Sequence, residues 1–223
     1  MASTFPGAID SFTDPLSGSA LNSPSHSAQH SDLNDAVEKV ETFMGLVKIV
    51  PTVAGTGVTV SSSGTVTFAA STSISAINCF NSTYTNYRVA LSITTSGAST
   101  AKEIRLQFRN ASGIISTSVY AYRQFGIGYD NVSVTSGGYA TTYTIIIPNV
   151  YYPNTLDHAF FDVQTGSTYA TYSGVMKYNA AGIPGGGPFV GECFNTSTAP
   201  TGLTITTSAS TITGTLSVYG YRI

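Results

Sequence analysis

An alternation of apolar and polar residues with a period of two dominates the chain after residue 46. Residues 87–93 place Tyr, Val, Leu and Ile on one face, and residues 104–109 alternate Ile, Leu and Phe with Arg, Gln and Arg. This period is typical of half-buried β-strands. Ten strands are predicted: Ile74–Cys79, Tyr87–Thr94, Ile104–Asn110, Ser116–Tyr122, Asn131–Thr135, Thr141–Val150, His158–Thr165, Tyr169–Tyr178, Leu203–Thr207 and Thr213–Arg222.

Turn-forming residues separate these short strands, and no strand–helix–strand alternation occurs among them. The pattern therefore predicts a mainly β chain that folds into an antiparallel, jelly-roll-like β-sandwich over residues 71–223, and it excludes a parallel sheet. The segment Gly182–Phe189 contains two Pro and four Gly, and it is predicted to be a long loop. Residues 46–70 read as a small hairpin, which we interpret as a separate β connector or shaft.

A helical period appears in one region, Ser27–Gly45. The apolar residues recur at positions i, i+4, i+7 and i+11, with charged residues on the other face. Two interpretations stay open: residues 31–45 form the seam of a short trimeric coiled coil, or a single amphipathic helix packs on its own β domain. The residues of the predicted seam are Leu33, Val37, Val40 and Met44.

The N-terminal residues 1–30 combine dense turn formers with large apolar residues that occur one at a time. A disordered tail does not need such repeated large side chains. We therefore favour an extended anchor that inserts these side chains into a partner, with a disordered tail as the alternative. The candidate docking residues are Phe5, Ile9, Phe12, Leu16 and Leu21.

Charge and composition narrow the function further. Charged residues make up 9% of the chain and the net charge is −2, so an interface with nucleic acid is not expected. We expect neither a secretory leader nor a membrane span, because the first residues lack a basic and apolar run and no long apolar stretch follows. Cys79 and Cys193 are expected to be buried free thiols, although a single disulfide remains possible from their number alone.

Enzymatic motifs are missing from the pattern. No Gly-x-Ser-x-Gly sequence accompanies Asp157 and His158, so a serine hydrolase is not expected. His26 and His30 have the i, i+4 spacing of metal ligands, but no third ligand lies in register with them. We therefore expect no catalysis, metal or cofactor. The carboxylates that a glycan-cleaving enzyme would need are scattered over Glu103, Asp130, Asp157, Asp162 and Glu192.

Loops rich in aromatic and polar residues point to binding instead. An aromatic ring can stack on the C–H face of a sugar while Asp, Asn or His side chains bond its hydroxyls. Tyrosines at sandwich edges also simply cover the core, which is the alternative. The candidate glycan-binding residues are Tyr129, Asp130, Asn131, Tyr151, Tyr152, Asn154, Asp157 and His158.

Two stretches of the chain carry a family resemblance. Phe5-Pro-Gly-Ala-Ile-Asp-Ser-Phe12, and the run Leu21–Val37 that contains Ser-Pro-Ser-His-Ser-Ala-Gln-His, resemble the N-terminal segment of many tailed-bacteriophage virion proteins of the minor tail and fibre type. The closing Thr213–Arg222 resembles the last strand of the β domains that often follow this segment. The resemblance covers residues 1–45 and 213–222, and no set of functional residues comes with it.

This resemblance implies a virion structural protein that is assembled in the bacterial cytoplasm. It implies a homotrimer that docks to other phage tail or capsid proteins by its N-terminus and displays its C-terminus. With the residue pattern, it predicts a tail fibre or receptor-binding protein that contacts host surface polysaccharide. A capsid decoration or head-fibre protein is the first alternative, and a free lectin-like protein is the second.

Overall fold

The computed structural model describes residues 26–43, 45–97, 102–117, 119–127, 133–150, 155–180, 183–194 and 198–221. These residues form a helix, α1 (His26–Phe43), and sixteen β-strands. The strands are β1 (Leu46–Ile49), β2 (Thr52–Ala54), β3 (Val58–Val60), β4 (Val66–Ser71), β5 (Ser73–Ile77), β6 (Asn86–Thr95), β7 (Lys102–Asn110), β8 (Gly113–Ile114), β9 (Tyr120–Ile127), β10 (Ser133–Thr141), β11 (Thr144–Val150), β12 (Asp157–Thr165), β13 (Ala170–Ala180), β14 (Ile183–Cys193), β15 (Gly202–Thr207) and β16 (Ile212–Tyr221).

Helix α1 begins one residue before the predicted start and ends two residues before the predicted end. Gly45, which follows it, has a φ of +111°, a conformation that glycine adopts more readily than other residues. Leu33 and Val37 are 52% and 47% exposed. The described residues contain no helix that is long and apolar enough to cross a membrane.

The strands form two sheets. The larger has ten strands in the order β10-β9-β14-β13-β12-β6-β16-β4-β3, with β1 also on β16, and the smaller has six in the order β11-β7-β15-β5-β2, with β8 on β7. All pairings whose register is defined are antiparallel. The chain passes between the sheets many times, and the prediction of a mainly antiparallel β architecture is confirmed.

Apolar side chains from the two sheets meet in one core. Phe108 on β7 lies 5.9 Å from the ring of Tyr172 on β13 and stacks on Tyr120 of β9 at 6.4 Å. The Tyr120 hydroxyl accepts a hydrogen bond from the Phe108 backbone N–H at 2.7 Å and donates one to the Ile115 carbonyl at 2.8 Å. A buried phenol thus joins strands of both sheets, and its polar end is satisfied there.

Residues 46–70 do not form a separate connector. Strand β4 pairs with the last strand, β16, through Phe68 and Gly214. Val66 and Phe68 are each 1% exposed and belong to the core. One compact unit spans Val47–Tyr221, because β4 needs both a hydrogen-bonded neighbour and cover for its apolar face.

The segment predicted to be a loop, Gly182–Phe189, is strand in its described part, which belongs to β14. Its ladder to β13 is continuous. Its ladder to β9 is defined at Gly186 and resumes at Phe189, so Pro188 falls in the interruption. Proline has no backbone N–H to donate. It is tolerated at this position because the ladder between β14 and β9 is interrupted there and needs no donor from it.

Several predicted strands are confirmed within one or two residues, including Tyr87–Thr94 and Ile104–Asn110. The strand predicted at Ser116–Tyr122 is displaced, because β9 begins only at Tyr120. Cys79 and Cys193 are free and buried.

Candidate functional site

The face of the larger sheet that points away from the core, called here the outer face, carries exposed side chains in ordered cross-strand rows. One row, the apolar row, contains Ala90 on β6, Phe160 on β12, Val175 on β13 and Pro188 on β14, each directly opposite the next. Phe160 is 49% exposed and Val175 is 55% exposed. Large apolar residues that are aligned and exposed to solvent are typical of a surface that binds a ligand or a partner.

The next row, the charged row, begins with Arg88 on β6 and Asp162 on β12, which lie opposite each other. It continues through Ser173 on β13 and Val190 on β14 to Arg123 on β9. A third row, the amide row, lies beside it and contains Asn86, Gln164, Thr171 and Glu192. The outer face thus places an apolar strip beside two polar strips.

The apolar and charged rows enclose a shallow hollow of about 470 Å³, called here the central hollow. Phe160, Val175, Pro188 and Val190 supply its apolar lining, and the Arg88–Asp162 pair lies at its border. A neighbouring hollow of about 260 Å³ lies toward the amide row and shares Asp162 and Ser173 with the central one. The two hollows therefore adjoin each other at Asp162 and Ser173. The further lining of the smaller hollow comes from Asn86, Val163, Gln164, Thr171 and Tyr172.

Arg88 and Asp162 form a bidentate ion pair. Arg88 donates from Nε to Oδ1 at 2.8 Å and from Nη2 to Oδ2 at 2.9 Å. The Tyr221 hydroxyl also donates to Asp162 Oδ1, at 3.0 Å, and the Arg88 guanidinium lies 5.6 Å from the centre of the Tyr221 ring. The hydrogen bonds from Arg88 hold the pKa of Asp162 below its usual range, so this carboxylate is ionised at neutral pH.

His158 lies on the outer face next to the apolar row. Its Nδ1 is 3.0 Å from the Ser92 Oγ, and its ring is nearly parallel to that of Phe160 with centroids 6.3 Å apart. The predicted candidate His158 is therefore brought to the edge of the central hollow, where its ring supports Phe160.

Of the other predicted glycan contacts, only Asp157 falls within the described residues. Asp157 is fully buried, so its carboxylate cannot meet a sugar at the surface, and we remove it from the candidates. Six candidates lie outside the described residues: Tyr129, Asp130, Asn131, Tyr151, Tyr152 and Asn154. So do the predicted docking residues Phe5, Ile9, Phe12, Leu16 and Leu21, the seam residue Met44 and the side chain of Val40.

Sequence reasoning missed the main residues of the outer face. A signal for Phe160 was present, because it lies on the same face of β12 as the polar residues His158, Asp162 and Gln164. An aromatic residue on the polar side of a strand is exposed. The Arg88–Asp162 pair had no such signal, since the two residues are 74 positions apart and meet only through strand pairing.

The arrangement is suited to holding a ligand with both a flat apolar side and many hydroxyls. The apolar row offers C–H and aromatic contact, and the polar rows offer fixed donors and acceptors. Among the described residues, no group of three or more His, Cys, Asp or Glu side chains is placed to hold a metal ion.

No family model matches the chain. No curated protein matches it either. A comparison of structures finds a likeness to the CBM2 module of the evolved Dit of Lactobacillus casei BL23 phage J-1, with 9% sequence identity over 78% of this chain and 91% of that one. The TM-score is 0.26, and at that value the likeness carries no argument about fold or function.

Proposed function

We propose that this protein is a non-enzymatic structural protein of a bacteriophage particle that binds host surface saccharide through the outer face of its larger sheet. The observation that carries the binding role is the apolar row beside the charged and amide rows. The N-terminal resemblance described above supports the virion role. The described part of the Thr213–Arg222 segment, which shares in that resemblance, belongs to strand β16 and pairs with β6, the strand of Arg88.

A saccharide is complementary to both the apolar and the polar rows of this face. A pyranose ring has an apolar C–H side that stacks on an aromatic ring such as Phe160. Its hydroxyls can donate to Asp162, Gln164 and Glu192 and accept from Arg88, Asn86 and Thr171. The strands fix these groups before the ligand arrives, which lowers the entropy cost of binding.

A shallow, open hollow of this kind binds one sugar weakly. Linked copies raise the overall avidity without new contacts. We propose a homotrimer joined by α1, because the seam residues Leu33 and Val37 lie four positions apart and are about half exposed in one chain. Residues 1–30 would then attach the trimer to the tail, with the capsid as the alternative address.

The test is binding of the full chain to a panel of immobilised bacterial surface polysaccharides. We expect selective retention of one or a few polysaccharides by the wild type. Phe160→Ala should weaken that retention about tenfold, because it removes the stacking platform. Ile114→Ala is the matched control, since Ile114 is also an exposed apolar residue but lies on the smaller sheet. Equal retention of all three proteins, or no retention of any polysaccharide, would contradict the proposal.

A further inference from the structure

A larger groove of about 740 Å³ lies on the outer face at its β10 end, called here the edge groove. It is built by strands β9, β10, β13 and β14, and its described lining contains none of the glycan-binding candidates predicted from the sequence. Its lining differs from that of the central hollow, because its aromatic residues are tyrosines rather than phenylalanines. Its lining includes Ala121, Arg123, Tyr139, Thr171, Val190 and Glu192.

Small residues leave the edge groove open. Gly137 on β10 lies directly opposite Arg123 on β9. A Cβ at Gly137 would lie 3.2 Å from the Arg123 Cδ, so the stem of the arginine lies along this glycine. Ala121, opposite Glu192, adds only a methyl group. A larger side chain at Ala121 would fill space that a ligand can use, and one at Gly137 would displace the arginine stem.

An aromatic platform borders the same groove. Tyr139 is 78% exposed, and its ring stacks on that of Phe194 with centroids 5.9 Å apart and planes 20° apart. A ring exposed to this degree is accessible for stacking on the apolar side of a sugar. The contact with Phe194 fixes the orientation of the Tyr139 ring in advance.

Arg123 and Glu192 are both exposed at the edge groove. Among the described residues, no ion pair joins Arg123 to Glu192, and the pair on the outer face is that of Arg88 with Asp162. Arg123 and Glu192 therefore do not neutralise each other, and the guanidinium and the carboxylate are available as a donor and an acceptor.

The edge groove adjoins both hollows described above. Val190 lines both the edge groove and the central hollow. Thr171 lines both the edge groove and the smaller hollow beside the amide row. Strands β12 and β10, which carry Phe160 and Tyr139, are four strand spacings apart, or about 19 Å across the sheet at about 4.8 Å per spacing. That span exceeds one sugar ring.

We propose that the edge groove is a second saccharide subsite and that one linear saccharide chain lies across the strands from Phe160 to Tyr139. This inference rests on the proposed function and names its ligand class: an oligosaccharide chain long enough to reach both aromatic platforms. One ring stacks on Phe160 and a later ring stacks on Tyr139. Arg123 donates to oxygens of the chain between them, and Glu192 accepts from its hydroxyls.

The experiment measures affinity by calorimetry for fragments of graded length, cut from the polysaccharide that the full chain retains. We expect the wild type to bind a fragment that spans both platforms at least about tenfold more tightly than a monosaccharide. Tyr139→Ala should lose that gain while it binds the monosaccharide as the wild type does. Ala121→Leu, which fills the groove and removes no contact group, should have the same effect. Tyr169→Ala, an exposed tyrosine between β12 and β13, is the control and should retain the gain.

The outcomes separate the two proposals. If Phe160→Ala loses binding and both groove variants keep the full gain with length, the central hollow binds saccharide and the second subsite is wrong. If Tyr139→Ala weakens the monosaccharide and the long fragment equally, the two sites are not separate and the inference is also overturned. If Phe160→Ala binds every fragment as the wild type does, the proposed function fails, and the subsite that rests on it fails too.

Discussion

The guanidinium of Arg88 and the carboxylate of Asp162 face each other across strands β6 and β12 and share two parallel hydrogen bonds of 2.8 and 2.9 Å. Each side chain is about half exposed. A pair in that position adds little stability but holds a planar donor and acceptor set in a fixed direction. Its place at the border of the central hollow makes it a recognition element of the proposed site.

The first prediction separates binding from stability at this pair. Arg88→Ala and Asp162→Asn should each lower the free energy of unfolding by less than about 1 kcal/mol, because the pair is exposed to solvent. Each should weaken saccharide binding about tenfold, because the hydroxyls of the sugar lose a hydrogen-bonding side chain that the ion pair holds in place. Urea denaturation and calorimetry measure the two effects.

The control for this prediction is Arg105→Ala on the smaller sheet. Arg105 pairs with Glu103 at 2.7 Å and lies 4.0 Å from the centre of the Tyr143 ring, so it loses comparable contacts on the other side of the molecule. We expect its binding to match that of the wild type. Weaker binding by Arg105→Ala would mean that the larger sheet is not the binding surface.

The second prediction concerns pH. The pKa of Asp162 is lowered in the folded protein, so its contribution to stability is present above the unfolded value of about 3.9 and is lost as the pH falls through the lower folded value. The Asp162 contribution to saccharide binding should follow the same course and stay constant from pH 7 to 5. An NMR titration of the Asp162 carboxyl, with Asp162→Asn as reference, measures this; a midpoint above 4 would contradict it.

The third prediction tests the buried phenol that links the sheets. Tyr120→Phe should lower the free energy of unfolding by about 1–3 kcal/mol, because the Phe108 N–H and the Ile115 carbonyl would lose a buried partner. Tyr169→Phe, which alters an exposed tyrosine, should change it by less than about 0.5 kcal/mol. Chemical denaturation checks both; equal values would show that the Tyr120 hydroxyl contributes nothing specific.

The fourth prediction concerns the two thiols. Burial raises the pKa of Cys79 to about 12 and that of Cys193 to about 11. At pH 8, roughly one Cys193 side chain in a thousand is then thiolate, and neither sulfur is accessible. An aromatic disulfide reagent should label the native protein slowly. In denaturant it should label two thiols per chain. Rapid labelling of the native chain would show that one of the two sites opens readily.

The fifth prediction tests the proposed trimer. Light scattering of the full chain should give a mass near three chains. Val37→Asp places a charge on the predicted seam and should lower the mass toward one chain, because an unpaired charge resists burial. Asn34→Asp adds the same charge at an exposed position of α1 outside the seam and should leave the mass unchanged. A wild-type mass of one chain would contradict the proposed trimer.

The sequence was most informative where local alternation decides the structure. Strands β6 and β7 were predicted within two residues, because their inward and outward positions follow a strict period of two. The Gly182–Phe189 prediction was wrong, because the pairing of β14 with β13 outweighs the local preference of Pro and Gly for loops. Such pairing is a tertiary effect that a local pattern does not contain.

The same limit explains what was missed at the candidate site. The period of β12 contains enough information to place Phe160 outward among polar residues. The rows themselves depend on the order β9-β14-β13-β12-β6, which joins segments far apart in the chain. The connector 46–70 was set apart for the same reason, since its partner β16 lies at the other end of the sequence.

The most direct test of the account is hydroxyl-radical footprinting of the full chain with and without the polysaccharide that it retains. Bound saccharide shields the side chains that it covers from oxidation. We predict protection of Phe160 and Pro188 at the central hollow, while Ile114 on the smaller sheet is oxidised to the same extent in both samples. Unchanged oxidation of Phe160 and Pro188 under saturating polysaccharide, or protection confined to the smaller sheet, would contradict the claim that the outer face of the larger sheet binds saccharide.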